Sequence, residues 1–475
     1  MSVRSAIVIG SGFAGLSATL ELQRRGVAVR VLEAADRPGG RAQSWSAAGY
    51  RFDLGPTLLV MTDLLRSALG DEAFDALALQ RLEPGYRVRF ADGASFAMQS
   101  DIALVLQEFA RFEPGRASRA LRYLADVHGA HVDARSRILE RDHTLASFAR
   151  TILSPGRIRP WIAGSLRAFT ERYFHDPRVV QALTFQPLYL GTSPLRSPAM
   201  YALLPVEEMV GGVWYARGGT GAVVDAFVRE AQRRGAEFAF DTRAERVEMR
   251  ADGGVRVHAG ATSYDADALV VAADREPSLG LFGDEAPRGR SPRYGHTACV
   301  WYFGLDAPVA LDHHTVMLPR DPWGAYAHLD AGRVPDETML YVCNPAATDP
   351  SVAPPGGSAL LVLAPVPNRA LAPSLDLDAM RERVLDALEA QAGPLRGRIV
   401  VERRRGPEEF ERELGLMHGA AFGPDHTLDQ MGPFRPAIRH PRLRNVVFAG
   451  SGTRPGSGVP MVVISGRLAA DALLA

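Results

Sequence analysis

Lysine is missing from this 475-residue chain: all 54 basic side chains are arginine. A GC-rich coding sequence accounts for the bias, yet the absence has a chemical consequence. No lysine amine can form a Schiff base, act as a general base or position a water. Cysteine is nearly missing as well. Cys299 and Cys343 stand far apart, with no disulfide scaffold and no metal-type spacing, and free thiols in a reducing cytosol are the expectation. Net charge is lacking too: 54 acidic residues balance the arginines. No global field draws in nucleic acid, and there is no basic tail. No apolar run approaches the roughly 18–20 residues of a membrane span, so any membrane role is expected to be peripheral. The first residues run straight into an apolar strand pattern, Ser5 to Ile9, which does not read as a signal peptide.

What remains is the mixture of a soluble globular enzyme, 47% hydrophobic and 23% charged. The length exceeds one ordinary domain and implies two or three parts. Residues 5–33 read as strand, tight glycine turn, helix and strand. Residues 101–150 and 157–190 are rich in helix formers and arginine. A helical stretch at Val223–Arg234 leads into strand patterns at Glu237–Phe240 and Ala244–Met249. A turn at Asp252–Gly254 then gives a hairpin signal with Val255–His258. Further strands are expected at Ala268–Ala272 and Val446–Ala449, an amphipathic helix over 374–392, and a closing helix at Val462–Leu474.

The first motif is Gly10-Ser11-Gly12-Phe13-Ala14-Gly15, between the strand pattern Ala6–Ile9 and the helix pattern Ala14–Arg25. Gly10 permits the tight turn, Gly12 lets the backbone approach a pyrophosphate, and Gly15 lets helix and strand pack closely. Phosphates then sit at a helix N-terminus, where free amides and the dipole favour anions. Glu33 ends the second strand, where a carboxylate can accept hydrogen bonds from a ribose. Arg37-Pro38-Gly39-Gly40-Arg41 follows at once; its glycines again allow close approach, and Arg41 can neutralise phosphate. Next comes Phe52-Asp53-Leu54-Gly55-Pro56-Thr57, a turn suited to lie over a flavin, in which Asp53 reads equally well as a cap of a helix or turn.

A third motif, Ala449-Gly450-Ser451-Gly452 through Gly458-Val459-Pro460-Met461, opens the closing helix. The N-terminus of that helix carries roughly half a positive charge, which suits the pyrimidine edge of a reduced flavin. No second strand–glycine–helix unit with a trailing acid occurs. A dedicated nicotinamide site is therefore not expected, and electrons would leave to oxygen, a quinone or another external acceptor.

Together the three motifs resemble the carotenoid desaturase family of the bacterial phytoene desaturase type, among the FAD-dependent amine-oxidase-like flavoproteins. The ends are shared with all amine-oxidase-like flavoproteins. The middle is more specific: Ala182–Gly191 (ALTFQPLYLG), Trp214–Gly221 (WYARGGTG), Tyr302–Leu305 (YFGL), His313–Val316 (HHTV) and Leu363–Pro367 (LAPVP) all resemble family segments. One departure is Ser451, which stands where many relatives carry an acid.

The resemblance implies the α/β class with an α+β substrate domain. A discontinuous Rossmann-type FAD-binding domain would take residues 1–75, 216–278 and 440–475, and a mixed-sheet substrate domain 76–100 and 279–439. A helical, membrane-facing region would take 101–215. Ala34 and Val247 join the residues expected to contact FAD. The implied activity is desaturation of a linear polyisoprenoid, phytoene-like or a hydroxylated carotene, with an allylic hydride passing to flavin N5 and a proton leaving the adjacent carbon. It implies no particular catalytic base. Rivals on the same scaffold are a carotenoid isomerase and a terminal carotenoid oxidase; a rival of another class is a non-enzymatic polyisoprenoid carrier.

A long hydrocarbon offers no hydrogen-bonding handle, so shape and apolar burial must hold it. Phe185, Gln186, Tyr189, Tyr201 and Trp214 are candidates for lining its channel, although aromatics in such segments are more often plain core. Peripheral attachment to the cytoplasmic face of a membrane follows from an insoluble substrate. Ile158, Trp161, Ile162, Leu166, Phe169 and Tyr173, at helical spacing among Arg157, Arg159, Arg167 and Arg172, are the candidate docking stripe, though a core-facing helix is the plainer reading. His296, His313, His314 and His418 match no metal spacing. Adjacent residues His313 and His314 would point to opposite faces of a strand, and structural roles are the expectation for all four.

Overall fold

The computed structural model describes residues 3–153, 164–287 and 291–475. Two sheets organise it. The first is five-stranded and wholly parallel, in the spatial order Val446–Phe448, Ala268–Val271, Ser5–Ile9, Ala28–Leu32, Glu237–Ala239. A parallel sheet covered on both faces needs strands that are apolar throughout, which explains Ala268–Val271 with every residue buried. The pleat sends successive side chains to opposite faces. Ala6 and Val8 pack with the helices Phe13–Arg24, Thr220–Arg233 and Val459–Leu474. Ile7 and Ile9 pack instead with Val247, Val255 and Val257 of a three-stranded antiparallel layer, Arg246–Met249, Val255–Ala259 and Thr262–Ala266.

The second sheet has seven strands, in the order Ile399–Arg405, Thr297–Leu305, Ser358–Val366, Leu340–Cys343, His314–Met317, Tyr86–Arg89, Ser95–Met98. Its pairs are antiparallel except for His314–Met317 with Tyr86–Arg89, so the sheet is mixed as expected. The strand Thr297–Leu305 is buried at every position and splits its residues between two cores. Cys299, Trp301, Phe303 and Leu305 face the helix Leu377–Ala392, whose Met380, Val384, Leu385 and Leu388 meet them. Ala298, Val300 and Tyr302 face the larger, aromatic core. The helix itself starts where Asp376 accepts the Ala379 amide and stops at Gly393, so the amphipathic pattern over 374–392 runs slightly ahead of the element.

The helical region shares that aromatic core. Val105 and Phe109 from Ile102–Phe112, and Tyr123 and Val127 from Ala117–Ala134, pack with Phe96 and Tyr86 of the mixed sheet. Membrane-facing character does not follow from this packing. Leu166 and Phe169 of the expected docking stripe are buried in the same core, Arg172 stacks over Phe169, and Tyr173 Oη donates to Asp126. Ile158, Trp161 and Ile162, with Arg157 and Arg159, lie outside the described residues. No helix among the described residues is long and apolar enough to cross a membrane.

Candidate flavin and substrate site

The glycine turn leaves the first strand at Gly10, whose φ of 99° lies in the left-handed region that glycine tolerates. A Cβ on Gly15 would stand 2.0 Å from the Gly10 carbonyl oxygen, so only glycine lets this helix start so close to its strand. Gly12 differs: the nearest atom to a Cβ there is the Gly39 carbonyl oxygen at 3.8 Å, and Gly40 looks back at Gly12 Cα across 3.6 Å. Only backbone atoms lie within 4 Å of a Cβ built at either glycine, so the start of the helix Phe13–Arg24 is bordered here by a slot of backbone alone. A pyrophosphate fits such a slot, because amide donors and the helix dipole face it. Glu33 is held beside it: Ser11 donates from N (2.8 Å) and Oγ (2.6 Å), and the Ala35 amide donates to its other oxygen at 2.9 Å. Ala34 is exposed next to it. Phe13 meets Phe227 edge-on at 5.5 Å, and Ala14 lies against the closing helix, where a Cβ on Gly466 would strike its carbonyl at 2.3 Å.

Arg41 ties the second motif to the third. Its Nη1 donates to Ser451 Oγ at 2.7 Å, its Nη2 reaches Asp274 at 3.3 Å, and its buried Nε has no protein partner. Ser451 thus presents a hydroxyl that accepts from arginine. Gly450 donates to Ser465 Oγ, and Gly458, at φ 103°, leads into Val459, Pro460 and Met461, the first turn of the closing helix. That helix begins three residues before the pattern at Val462, because proline suits a first turn with no amide partner to lose.

Two residues that hold the third motif carry no local signal. Arg435 is 2% exposed and donates to the carbonyls of Ser451 (2.6 Å), Thr453 (3.0 Å) and Pro424 (3.2 Å), clamping the loop from beneath; burial pulls its guanidinium down to about 10. His426 Nε2 accepts the Ser457 amide at 3.0 Å while its Nδ1 meets the Leu190 carbonyl at 3.1 Å. The only hint in the sequence is their place in a proline-rich loop.

Asp53 resolves as a cap. Its carboxylate accepts the amides of Thr220 and Gly221 at 2.7 and 3.0 Å, closing the N-terminus of a helix 167 residues away. Burial pushes this carboxyl up to about 6. Gly55 is required next to Arg41, whose carbonyl a Cβ would meet at 2.0 Å; Pro56 and Thr57 follow. Thr57 Oγ1 bonds Tyr341 Oη, and Tyr341 Oη also bonds His314 Nδ1 at 2.8 Å.

This hydroxyl joins the cofactor turn to the aromatic set. Tyr189 lies 6.4 Å from the Tyr341 ring and 5.5 Å from Phe185, and Phe185 lies 5.9 Å from Tyr86, both of its contacts edge-on. Gln186 Nε2 donates to Tyr86 Oη at 3.0 Å, and Tyr86 Oη donates to Glu208 at 2.6 Å. Burial raises the Glu208 carboxyl to about 8. Gln186 Oε1 and Tyr189 Oη are buried with no protein partner, two polar atoms unanswered in an otherwise aromatic wall. Glu208 and Tyr86 had no sequence signal beyond helix and strand periodicity. Tyr201 sits beside this group and donates to the His426 carbonyl at 2.8 Å. Trp214 lies elsewhere: its indole N–H donates to Gly211, and the ring packs on the parallel-sheet core. Val247 is buried under the parallel sheet, paired with Val257.

Known proteins resemble this chain along most of its length. The family described as "Flavin containing amine oxidoreductase" matches residues 13–474. The zeta-carotene-forming phytoene desaturase of Myxococcus xanthus is 34% identical over 99% of this chain and 94% of its own length. The carotenoid 3,4-desaturase of Haloarcula japonica is 32% identical over 100% and 99%, and the phytoene dehydrogenase of Streptomyces griseus 34% over 99% and 95%. Among solved structures, an oxidoreductase from Methanosarcina mazei superposes with a TM-score of 0.65 at 15% identity, covering 97% of this chain and 98% of that one. Cyclohexylamine oxidase from Brevibacterium oxydans gives 0.62 at 17%, over 100% and 99%. At such identities these structures speak for the fold alone.

Proposed function

The chain belongs to the flavin-containing amine oxidoreductase family and, within it, to the carotenoid desaturases; from that premise we propose that it is an FAD-dependent desaturase of a linear polyisoprenoid. The observation that carries this reading is likeness along the whole chain to relatives named for carotenoid desaturation. Bound FAD supplies the two-electron acceptor that desaturation needs. The residues around it bind and orient. Gly12 and Gly40 admit the pyrophosphate, Glu33 takes the ribose, and Arg41 with Ser451 borders the phosphates. Gly55, Pro56 and Thr57 and the turn Gly458–Met461 bracket the ring system. Phe185, Tyr189 and Tyr341 form a wall against which a polyene packs, and their bulk keeps water from the reacting carbons. The cofactor domain takes residues 1–75, 216–278 and 440–475, and the substrate domain 76–100 and 279–439 with the helical region 101–215.

Electrons pass on to oxygen or a quinone, in keeping with a single dinucleotide motif. The protein works at a membrane surface. Leu145 and Leu153 are 62% and 70% exposed, and Ile102, Leu121 and Val132 are likewise bare apolar side chains of the helical region, which suits shallow insertion. Flotation with liposomes tests this, and a protein that stays with the soluble fraction on every lipid tried rules it out.

The central test is expression in cells that accumulate phytoene or a partly desaturated, hydroxylated relative. A longer chromophore and absorption shifted to longer wavelength are expected, without consumption of NADH or NADPH. An unchanged pigment profile at full FAD loading ends the desaturase reading. A change confined to the cis/trans pattern replaces it with an isomerase.

A further inference from the structure

Behind Tyr341 lies a cluster that neither the glycine motifs nor the aromatic wall accounts for. His313, His314 and Cys343 are all buried, and one ligand-capable atom from each lies within 4.8 Å of the others. Strand pairing builds the cluster. His314 and Cys343 are direct partners in the antiparallel ladder of His314–Met317 with Leu340–Cys343, so their side chains emerge on the same face. His313 stands one residue before that strand, where the pleat no longer governs its direction. Its ring turns back to lie 4.4 Å from the ring of His314, and its carbonyl is fixed by the Asn344 amide at 2.7 Å. Opposite faces were expected only if both histidines lay in a strand, and His313 lies outside it.

The hydrogen bonds are those of oriented ligands. His313 Nδ1 meets Thr348 Oγ1 at 2.7 Å, and His314 Nδ1 meets Tyr341 Oη at 2.8 Å. Each ring is thus held through one nitrogen, and with Nδ1–H donating, the other nitrogen presents a lone pair. Both Nε2 atoms are buried and bond to no protein group. A buried polar atom left without a partner is destabilising, and here two such atoms occur on adjacent residues. Histidine that spends one nitrogen on an orienting partner and frees the other is the usual arrangement around a metal. Beside the cluster is a cavity of about 20 Å³ lined by His313, Cys343, Thr57, Tyr215 and Asp53. That exceeds the roughly 10–15 Å³ one water requires.

We propose that His313, His314 and Cys343 form a zinc site, with a water in the adjoining cavity completing four-coordination. One thiolate and two imidazoles suit a borderline-soft d¹⁰ cation, and hard cations such as magnesium or calcium are excluded by the absence of oxygen donors among the three. Binding replaces the Cys343 S–H bond by an S–Zn bond and releases the proton to solvent. No redox change is involved. The cation cross-links the ends of two strands next to Tyr341 and Thr57, so the site stiffens the floor of the flavin turn. The proposal does not depend on the identity of the organic substrate.

The test uses the full-length, FAD-loaded protein, produced in zinc-supplemented medium and dialysed against a weak chelator, with metal counted by inductively coupled plasma mass spectrometry. Close to one zinc per chain is expected. Cys343→Ser and His314→Gln should each lower retention at least tenfold while FAD content and far-ultraviolet circular dichroism stay at the wild-type level. No retained zinc, retention that both variants preserve, or copper held in preference to zinc overturns the assignment. Should both variants fail to fold, cobalt titration of the metal-free wild-type protein decides. A thiolate-to-cobalt charge-transfer band in the difference spectrum supports the site, and its absence rejects it.

Discussion

The parallel sheet and the mixed sheet solve opposite problems. Around the parallel sheet the core is aliphatic, with Val8, Val31, Val270 and Leu16 packed tightly enough for glycine turns to approach one another through backbone alone. Around the inner face of the mixed sheet the core is aromatic, with Tyr86, Phe185, Tyr302 and Tyr341 among its members, and it buries hydroxyls, a carboxyl and imidazoles along with the rings. Under the proposed function the first region takes a polar ligand by removing side chains, and the second takes an apolar one while carrying its polarity in its own walls. A side chain added to the first should therefore be worse than one altered in the second.

The harshest break is Gly15→Val. With a Cβ 2.0 Å from the Gly10 carbonyl oxygen, the backbone itself must move, and the loss should exceed about 3 kcal/mol together with all FAD. Urea denaturation and flavin absorbance after desalting read both effects; retained FAD would place the glycine turn elsewhere.

In the second region the expected effect is a pH dependence. Burial raises the Glu208 carboxyl from its ordinary 4.5 to about 8. The unfolded chain gives up this proton at a lower pH than the folded one. Its contribution to stability is therefore complete below about 4.5 and is lost as pH rises through about 8. Asp53 adds a smaller slope of the same sign, since its carboxyl rises from 3.8 to about 6. Glu208→Gln should flatten the decline between these limits by a few kcal/mol, measured as urea midpoints across the pH range. An unchanged slope would show that Glu208 is already ionised in the folded protein.

Asp53→Ala leaves the Thr220 and Gly221 amides without their acceptor at the junction of the two regions. A loss of about 2 kcal/mol is expected, and calorimetry measures it.

The mildest change in stability sharpens the contrast most. Gly12→Ala places its methyl group 3.8 Å from the nearest protein atom, so the fold should tolerate it to within about 0.5 kcal/mol. The methyl group nevertheless fills the slot meant for the pyrophosphate, and FAD affinity should fall at least tenfold by titration of the apoprotein. Equal FAD affinity in Gly12→Ala and wild type would show that the slot does not receive phosphate.

Legibility followed distance along the chain. The turn Gly10–Gly15, the hairpin at Asp252–Gly254 and the strand at Val446–Phe448 were readable because strand, turn and helix there are made by neighbouring residues. The ambiguity at Asp53 was real in the sequence, because the amides that it caps lie 167 residues on. Arg435 gave no sign of its role, since the carbonyls that it gathers belong to loops brought together only by folding. Trp214 looked like a channel residue and lies against the other core, because aromatic character says nothing about which sheet a side chain will meet.

By itself, then, the sequence determined the cofactor turn and the parallel strand pattern, since glycine conformation, helix dipole and apolar periodicity act over a few bonds. The tertiary structure alone decided the contacts between distant segments: Arg41 with Ser451, Tyr341 between Thr57 and His314, and His314 opposite Cys343. A side chain's partner across a sheet depends on strand order and register, and those are set by the packing of the whole chain.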